Sequence, residues 1–333
     1  MQELVFINKN INRWKKFEAL SVKESSYTPD KLAAMFIQIT DDLSYCRTFY
    51  PGSDTEKYLN ELAAKTHFNI YKNKKESRHK FFNFWKQDFP LIIYDIRKYI
   101  LISIALFLFS ALIGAFSAAN DQDFVRTILG DAYVDMTIDN IDKGDPMAVF
   151  KQMMQTDMFL AITFNNIKVA FMAFVWGLLL IVGTVYIMMS NGVMLGSFQY
   201  FFYEHDIFLE SILTIWIHGT LEIFAIIISG AAGLLIGVSV LLPGTYTRLQ
   251  SFKQATVKGV KIMIGIVPIF IVAGFLEGFV TRYTDAPVFI RAGIILGSFV
   301  FIVWYFFLYP AKLAVQKRIQ SSESSTHQAI YHT

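Results

Sequence analysis

Residues 207–241 read IFLESILTIWIHGTLEIFAIIISGAAGLLIGVSVL. At 1.5 Å per residue an uninterrupted helix over this stretch reaches roughly 50 Å, well beyond a bilayer core of about 30 Å. Its surroundings must be lipid or other helices. Ser211, Thr214, His218 and Glu222 fall on nearly one stripe, which continues through Ser229 and Gly233. The stripe is polar at its start and small at its end. Ionisable side chains at membrane depth cost about 2.5–3.5 kcal/mol on insertion scales, so they face protein or water and mark candidate sites.

Further apolar runs flank this one. Of the 333 residues, 54% are hydrophobic and 17% charged, too apolar for an ordinary soluble chain. The fold class expected is all-α, a polytopic bundle over 98–310. Its spans fall near 98–119, 163–190, 193–203 (short), 207–241, 262–280 and 288–309. Loop charges set the expected topology. The 120–162 loop carries Asp121, Asp123, Asp131, Asp135, Asp139, Asp142, Asp145 and Asp157 against Arg126, Lys143 and Lys151, and belongs outside. The basic loop with Arg248, Lys253, Lys258 and Lys261 belongs inside. Asn191-Gly192 carries a turn signal. Parity between that turn and the basic loop requires two crossings, the first being the short 193–203, spanning or re-entrant. Six crossings place both termini in the cytoplasm, including a 311–333 tail whose Ser321–Ser325 stretch is expected to be disordered.

Residues 1–97 form a water-soluble helical head. Leu32, Met35, Phe36, Ile39 and Leu43 recur at helical spacing after Thr28-Pro29-Asp30, and Tyr50-Pro51-Gly52-Ser53 turns the chain into a helix starting near Asp54. The beginning of the chain lacks a signal-peptide core, so the head is expected to stay where it is made. Cys46, the single cysteine, fits a reducing compartment as a small packing residue. The mix of Phe81, Phe82, Phe84, Trp85, Lys86 and Phe89 reads either as an interfacial segment near 80–97 in contact with membrane lipids, or as head core. Asp41, Asp42, Arg47, Tyr50, His67 and Tyr71 read either as a docking surface or as a brace across the helical hairpin.

His218 and Glu222, four residues apart, suit a helix-to-helix clamp beside Gly230, Gly233 and Gly237, whose lack of side chains permits close approach; they equally suit a substrate, lipid or proton site. Glu277 and Arg282 suggest an interfacial pair, or partners for the stripe. His205, between Glu204 and Asp206, reads as a solvated turn. HExxH is absent, and one His with one Glu supplies two ligands where zinc needs three or four, so no metal is expected. No nucleotide loop, nucleophile elbow or cysteine cluster is present, hence no cofactor and no enzyme activity is expected, and energy-driven transport would need a separate ATPase. A net charge of +3, with the basic residues beside the spans, gives no sign of nucleic acid.

From Asn165 onward, NNIKVAFMAFVWGLLLIVGT, SNGVMLGSF, HGTLEIFAIIISGAAGLLIG, PGTYTR and AGFLEGFVTRY resemble the stage II sporulation protein M family. In the head, FINKNINRWKKFE, DDLSYCRTFYPGS and YLNELAAKTHFNIYKNK resemble the N-terminal part of its longer members. The family's namesake holds peptidoglycan-degrading enzymes together during engulfment. The resemblance therefore implies a scaffold in the bacterial inner membrane that positions other envelope or membrane proteins through its head and acidic loop; self-association into a homo-oligomer is compatible with it. The alternative is a transporter or channel subunit with a path at His218, Glu222 and Glu277.

Overall fold

The structure, a computed structural model, describes residues 3–22, 29–72, 82–151, 154–179 and 181–330, and every element among them is helical. The chain divides into two compact units, Met1–Phe81 and Phe82–Thr333.

The head packs α1 (Glu3–Val22), α2 (Pro29–Phe49) and α3 (Asp54–Lys72). Trp14, Ile39, Cys46 and Leu59 are buried to within 1%. Asp42 joins α2 to α1, its carboxylate accepting from Arg13 Nη2 and, at 2.7 Å, from Trp14 Nε1. At the α2–α3 turn Gly52 has a φ of +79°, the left-handed region that glycine enters without strain. Ser53 Oγ accepts from Glu56 N–H, and the Glu56 carboxylate accepts from Gly52 N–H, tying the turn to the start of α3.

The second unit begins with a π turn, Phe84–Asp88, and α4 (Phe89–Asp95). α5 (Arg97–Asn120) follows, then α6 (Gln122–Leu129), α7 (Asp131–Asp142) and a 3₁₀ turn, Ala148–Lys151. Next come α8 (Gln155–Val175, extended by the 3₁₀ turn Trp176–Leu179), α9 (Val182–Glu204) and α10 (Phe208–Leu241). α11 (Arg248–Phe275) ends in a π turn, Leu276–Thr281. α12 (Val288–Val303) runs through a third π turn, Trp304–Leu308, into α13 (Tyr309–Ile330). Among the described residues, five helical stretches are long and apolar enough to cross a membrane: Arg97–Asn120, Gln155–Leu178, Phe208–Leu241, Arg248–Thr281 and Val288–Gln320. α10 is the central one, with 72% of its apolar window buried against 17–44% in the others.

Four expectations are corrected. The chain breaks at 180–181, where Ile181 has a φ of +77°, and not at Asn191-Gly192. α8 ends there, and 193–203 is the second half of the 23-residue α9, neither a separate short span nor a re-entrant element. Gly192 serves approach, not turning: a Cβ on it would lie 2.7 Å from the Phe107 carbonyl oxygen on α5, and one on Gly196 would overlie the Ala111 carbonyl. Contacts rise together along both helices, Ser103 with Met188 and Ser197 with Gly114, so α5 and α9 are parallel.

The head is shorter than 1–97. Phe89, Ile93 and Ile96 are buried in the core of the membrane unit, with Trp85 packed against it, and Trp85 Nε1 donates to Gly265 of α11. The hydroxyls of Tyr305 and Tyr309 donate to the carbonyls of Trp85 and Lys86 in the π turn, so the segment belongs to the membrane unit and not to the core of the head. Phe82 is 70% exposed, and Phe81 lies outside the described residues. Residues 121–151 are a folded cap. Val125, Val134, Met147 and Phe150 bury themselves against Phe201 and Phe202 of α9, and Arg126, Lys143 and Lys151 each pair with an aspartate of the same segment. Last, the final helix continues through Ser321–Ser325 to Ile330, where disorder was expected.

Candidate functional site

His218 projects from α10 toward the π turn that ends α11. That wide turn presents Glu277 and Thr281 to the neighbouring helix. His218 Nδ1 lies 3.0 Å from Thr281 Oγ1, and Thr281 Oγ1 donates to the Leu276 carbonyl at 3.2 Å. With its hydrogen committed there, the hydroxyl accepts from Nδ1–H. Nε2 then carries the lone pair. It faces Glu277 Oε2 at 3.5 Å. Glu222, one turn along α10, completes a cluster whose three ligand atoms lie within 4.8 Å of one another. His218 is 4% and Glu277 8% exposed, and the Phe150 ring of the cap meets the imidazole edge-on at 5.9 Å. No hydrogen-bond donor among the described residues reaches either carboxylate.

The stripe thus resolves into separate parts. Ser229 satisfies itself on the Ile226 carbonyl and takes no part in the cluster. Gly230 lies against the side chains of Met188 and Ser103, Gly233 against the Ala173 carbonyl and the Thr184 side chain, and Gly237 against the Ile181 backbone, so α10 meets α8 and the start of α9 at backbone distance. The expected Glu277–Arg282 pair is not formed. Glu277 turns inward to His218, and Arg282 Nη2 donates to the Lys151 carbonyl. Counting only two metal ligands fails for the same reason, because the third comes from α11 across 55 residues of sequence from Glu222. His205 lies in the turn after α9 between the exposed Glu204 and Asp206, and its Nδ1 bonds the Phe201 carbonyl at 2.8 Å.

Sequence reading missed a second ion pair, with a buried arginine and a half-exposed glutamate. Arg291 of α12, 7% exposed, donates through Nη1 to Glu210 Oε1 at 2.7 Å, and Thr214 Oγ1 donates to the same oxygen at 3.3 Å. A lone arginine in the apolar run 288–303 was the available signal. Beside it opens a polar cleft of about 510 Å³ lined by Asp145, Lys151, Glu210, Thr284 and Asp285.

Of the head residues, Asp42 and Arg47 make contacts between helices, as a brace would. Asp42 is engaged with Arg13 and Trp14, and Arg47 with Asn60 at 3.0 Å and Glu56 at 3.5 Å. Tyr50 packs at the core rim, 6.0 Å from the Phe6 ring, and the His67 ring lies 5.7 Å from that of Phe36. Asp41 is exposed, and the Tyr71 side chain lies outside the described residues.

Residues 103–282, more than half of the chain, match the family described as Stage II sporulation protein M. Residues 4–72 match a domain of unknown function (DUF8413). No curated protein and no solved structure matches the chain.

Proposed function

The chain belongs to the stage II sporulation protein M family and is a multi-pass helical membrane protein, and on that premise we propose that it organises envelope-associated partner proteins at the cytoplasmic membrane. In this reading both termini face the cytoplasm and the cap faces outward. The observation that carries it is the head. It closes on its own core, yet on a water-facing unit it leaves Leu4 and Val5 of α1 and Ile37 and Phe49 of α2 each more than half exposed. Apolar side chains left uncovered on a soluble unit suit a partner surface.

A transport role has one observation in its favour, the convergence of His218, Glu222 and Glu277. Beyond it, toward the C-terminal end of α10, Gly230, Gly233 and Gly237 press the backbone onto neighbouring helices. The polar residues therefore end in close packing, not in a continuing polar path. Deleting residues 1–81 tests the organising role. Affinity capture in mild detergent with mass spectrometry should give stoichiometric partners for the full chain, whereas the 82–333 protein should insert in the membrane and lose them. Retention of every partner by the shortened protein overturns docking through the head.

A further inference from the structure

We propose that His218 Nε2, Glu222 and Glu277 hold one divalent first-row transition-metal ion of the zinc or manganese class, joining α10 to the end of α11 beneath the cap.

Two carboxylates stand within 4.8 Å of each other and of His218 Nε2 among membrane helices, and neither receives a hydrogen bond from a described residue. A pair of uncompensated negative charges in such a place is strongly disfavoured, so the two carboxyls are neutralised either by protons or by a cation held between them. A divalent cation balances two carboxylates to zero net charge. The imidazole then selects the kind of cation, since nitrogen ligands suit zinc, iron and their neighbours, whereas magnesium and calcium favour all-oxygen sites.

The histidine is independently set up as a ligand. Its Nδ1–H is spent on Thr281 Oγ1, whose own hydrogen is spent on the Leu276 carbonyl. Nε2 therefore presents a lone pair to Glu277 Oε2 at 3.5 Å. A lone pair facing a carboxylate oxygen is repulsive unless a proton or a metal ion lies between them, and the metal ion also draws in Glu222. Ligand atoms about 2.0–2.1 Å from a tetrahedral zinc are separated from each other by roughly 3.3 Å, close to that spacing. Thr281 plays the outer-shell part that fixes the tautomer of metal-binding histidines. Three protein ligands leave a fourth position for water or a partner's group.

The test uses tag-free full-length protein in lipid nanodiscs, stripped with a chelator and titrated with zinc or manganese chloride. Bound metal is counted by mass spectrometry after desalting. One ion per chain is expected, with a Tm that climbs with the logarithm of free metal. Glu222→Gln, Glu277→Gln and His218→Ala should each lose the ion while remaining monodisperse, and Asp142→Asn on the cap should keep it. X-ray absorption on the wild-type protein, independent of any variant, should show one imidazole nitrogen among oxygen ligands. Failure of both metals to bind overturns the site, as does binding that survives both glutamine variants or a spectrum without imidazole. So does an infrared band of a protonated carboxyl that Glu277→Gln removes and saturating zinc leaves unchanged, because the two carboxylates then share a proton instead. Loss of partners on deleting the head bears on the organising role alone, since all three ligands lie in the second unit.

Discussion

Asp42 shows how a single carboxylate is used in the head. Its Oδ2 accepts from Arg13 and from the indole of Trp14, a ring only 1% exposed. Removing the acceptor strands a buried N–H, which costs about 1–3 kcal/mol. Cys46, 0% exposed on the same helix, reports that change directly. Burial pushes its thiol up to about 11 from 9.0, aided by the nearby charges of Glu3, Asp42 and Glu56, so alkylation at pH 8 requires the head to open. The expected outcome for Asp42→Ala is alkylation faster by roughly 5- to 150-fold, the Boltzmann equivalent of that cost, with a smaller rise for Asp42→Asn, which keeps an oxygen for Trp14. Equal rates in all three proteins would show that the brace holds nothing. A raised thiol pKa also stabilises the head fully below pH 9 and progressively less as pH approaches 11, so the wild-type rate should climb through that window. Sequence made His218 and Glu222 visible at this scale because a helix places i and i+4 on one face. Glu277 could be placed only with one of two possible partners, the stripe or Arg282, since helical periodicity orders residues within a helix and is blind to which neighbour it meets.

Glycine means different things in different elements, and composition alone does not distinguish them. Asn191-Gly192 has good turn chemistry, yet Gly192 and Gly196 lie mid-helix in α9 where α5 approaches to backbone distance. The actual break, at Ile181 with φ +77°, falls on a β-branched residue that rarely adopts that conformation, so local preference pointed away from it. Contact geometry then predicts opposite signs for the same substitution at two helical positions. Gly196→Ala places a Cβ on the Ala111 carbonyl and should destabilise by about 1–3 kcal/mol, as overpacking does. Gly293→Ala in α12 meets nothing within 4 Å and should stabilise by about 0.5–1 kcal/mol through helix preference. Thermal unfolding in one detergent measures both. No drop at Gly196 would mean that the α5–α9 contact is looser than described, and a drop at Gly293 would mean that this face of α12 is covered.

At the scale of the whole molecule, the apolar runs made the all-α membrane class legible, and loop charge adds an expected orientation that needs no knowledge of packing. What charge could not supply was the path between 163 and 241, which depends on a break at 180–181 and on a sixth helix, α9, that falls outside the five apolar stretches. We propose that its parallel run beside α5 supplies the missing crossing, so that α5 and α9 travel one way, α8 and α10 return, and α11 and α12 add one crossing each. The cap and the start of α11 then lie on opposite faces. Two exposed positions test this, Asp142 in the aspartate-rich cap and Gln250 at the basic start of α11. Cys46 can remain in place, its buried thiol silent at neutral pH. With an impermeant maleimide added to intact cells whose outer envelope has been opened, Asp142→Cys should label and Gln250→Cys should label only after the membrane is disrupted. The reverse pattern inverts the protein in the membrane while leaving its path intact. Labelling of both positions in intact cells, or of neither, places them on one face, which six crossings cannot do, and removes α9 from the list of crossings.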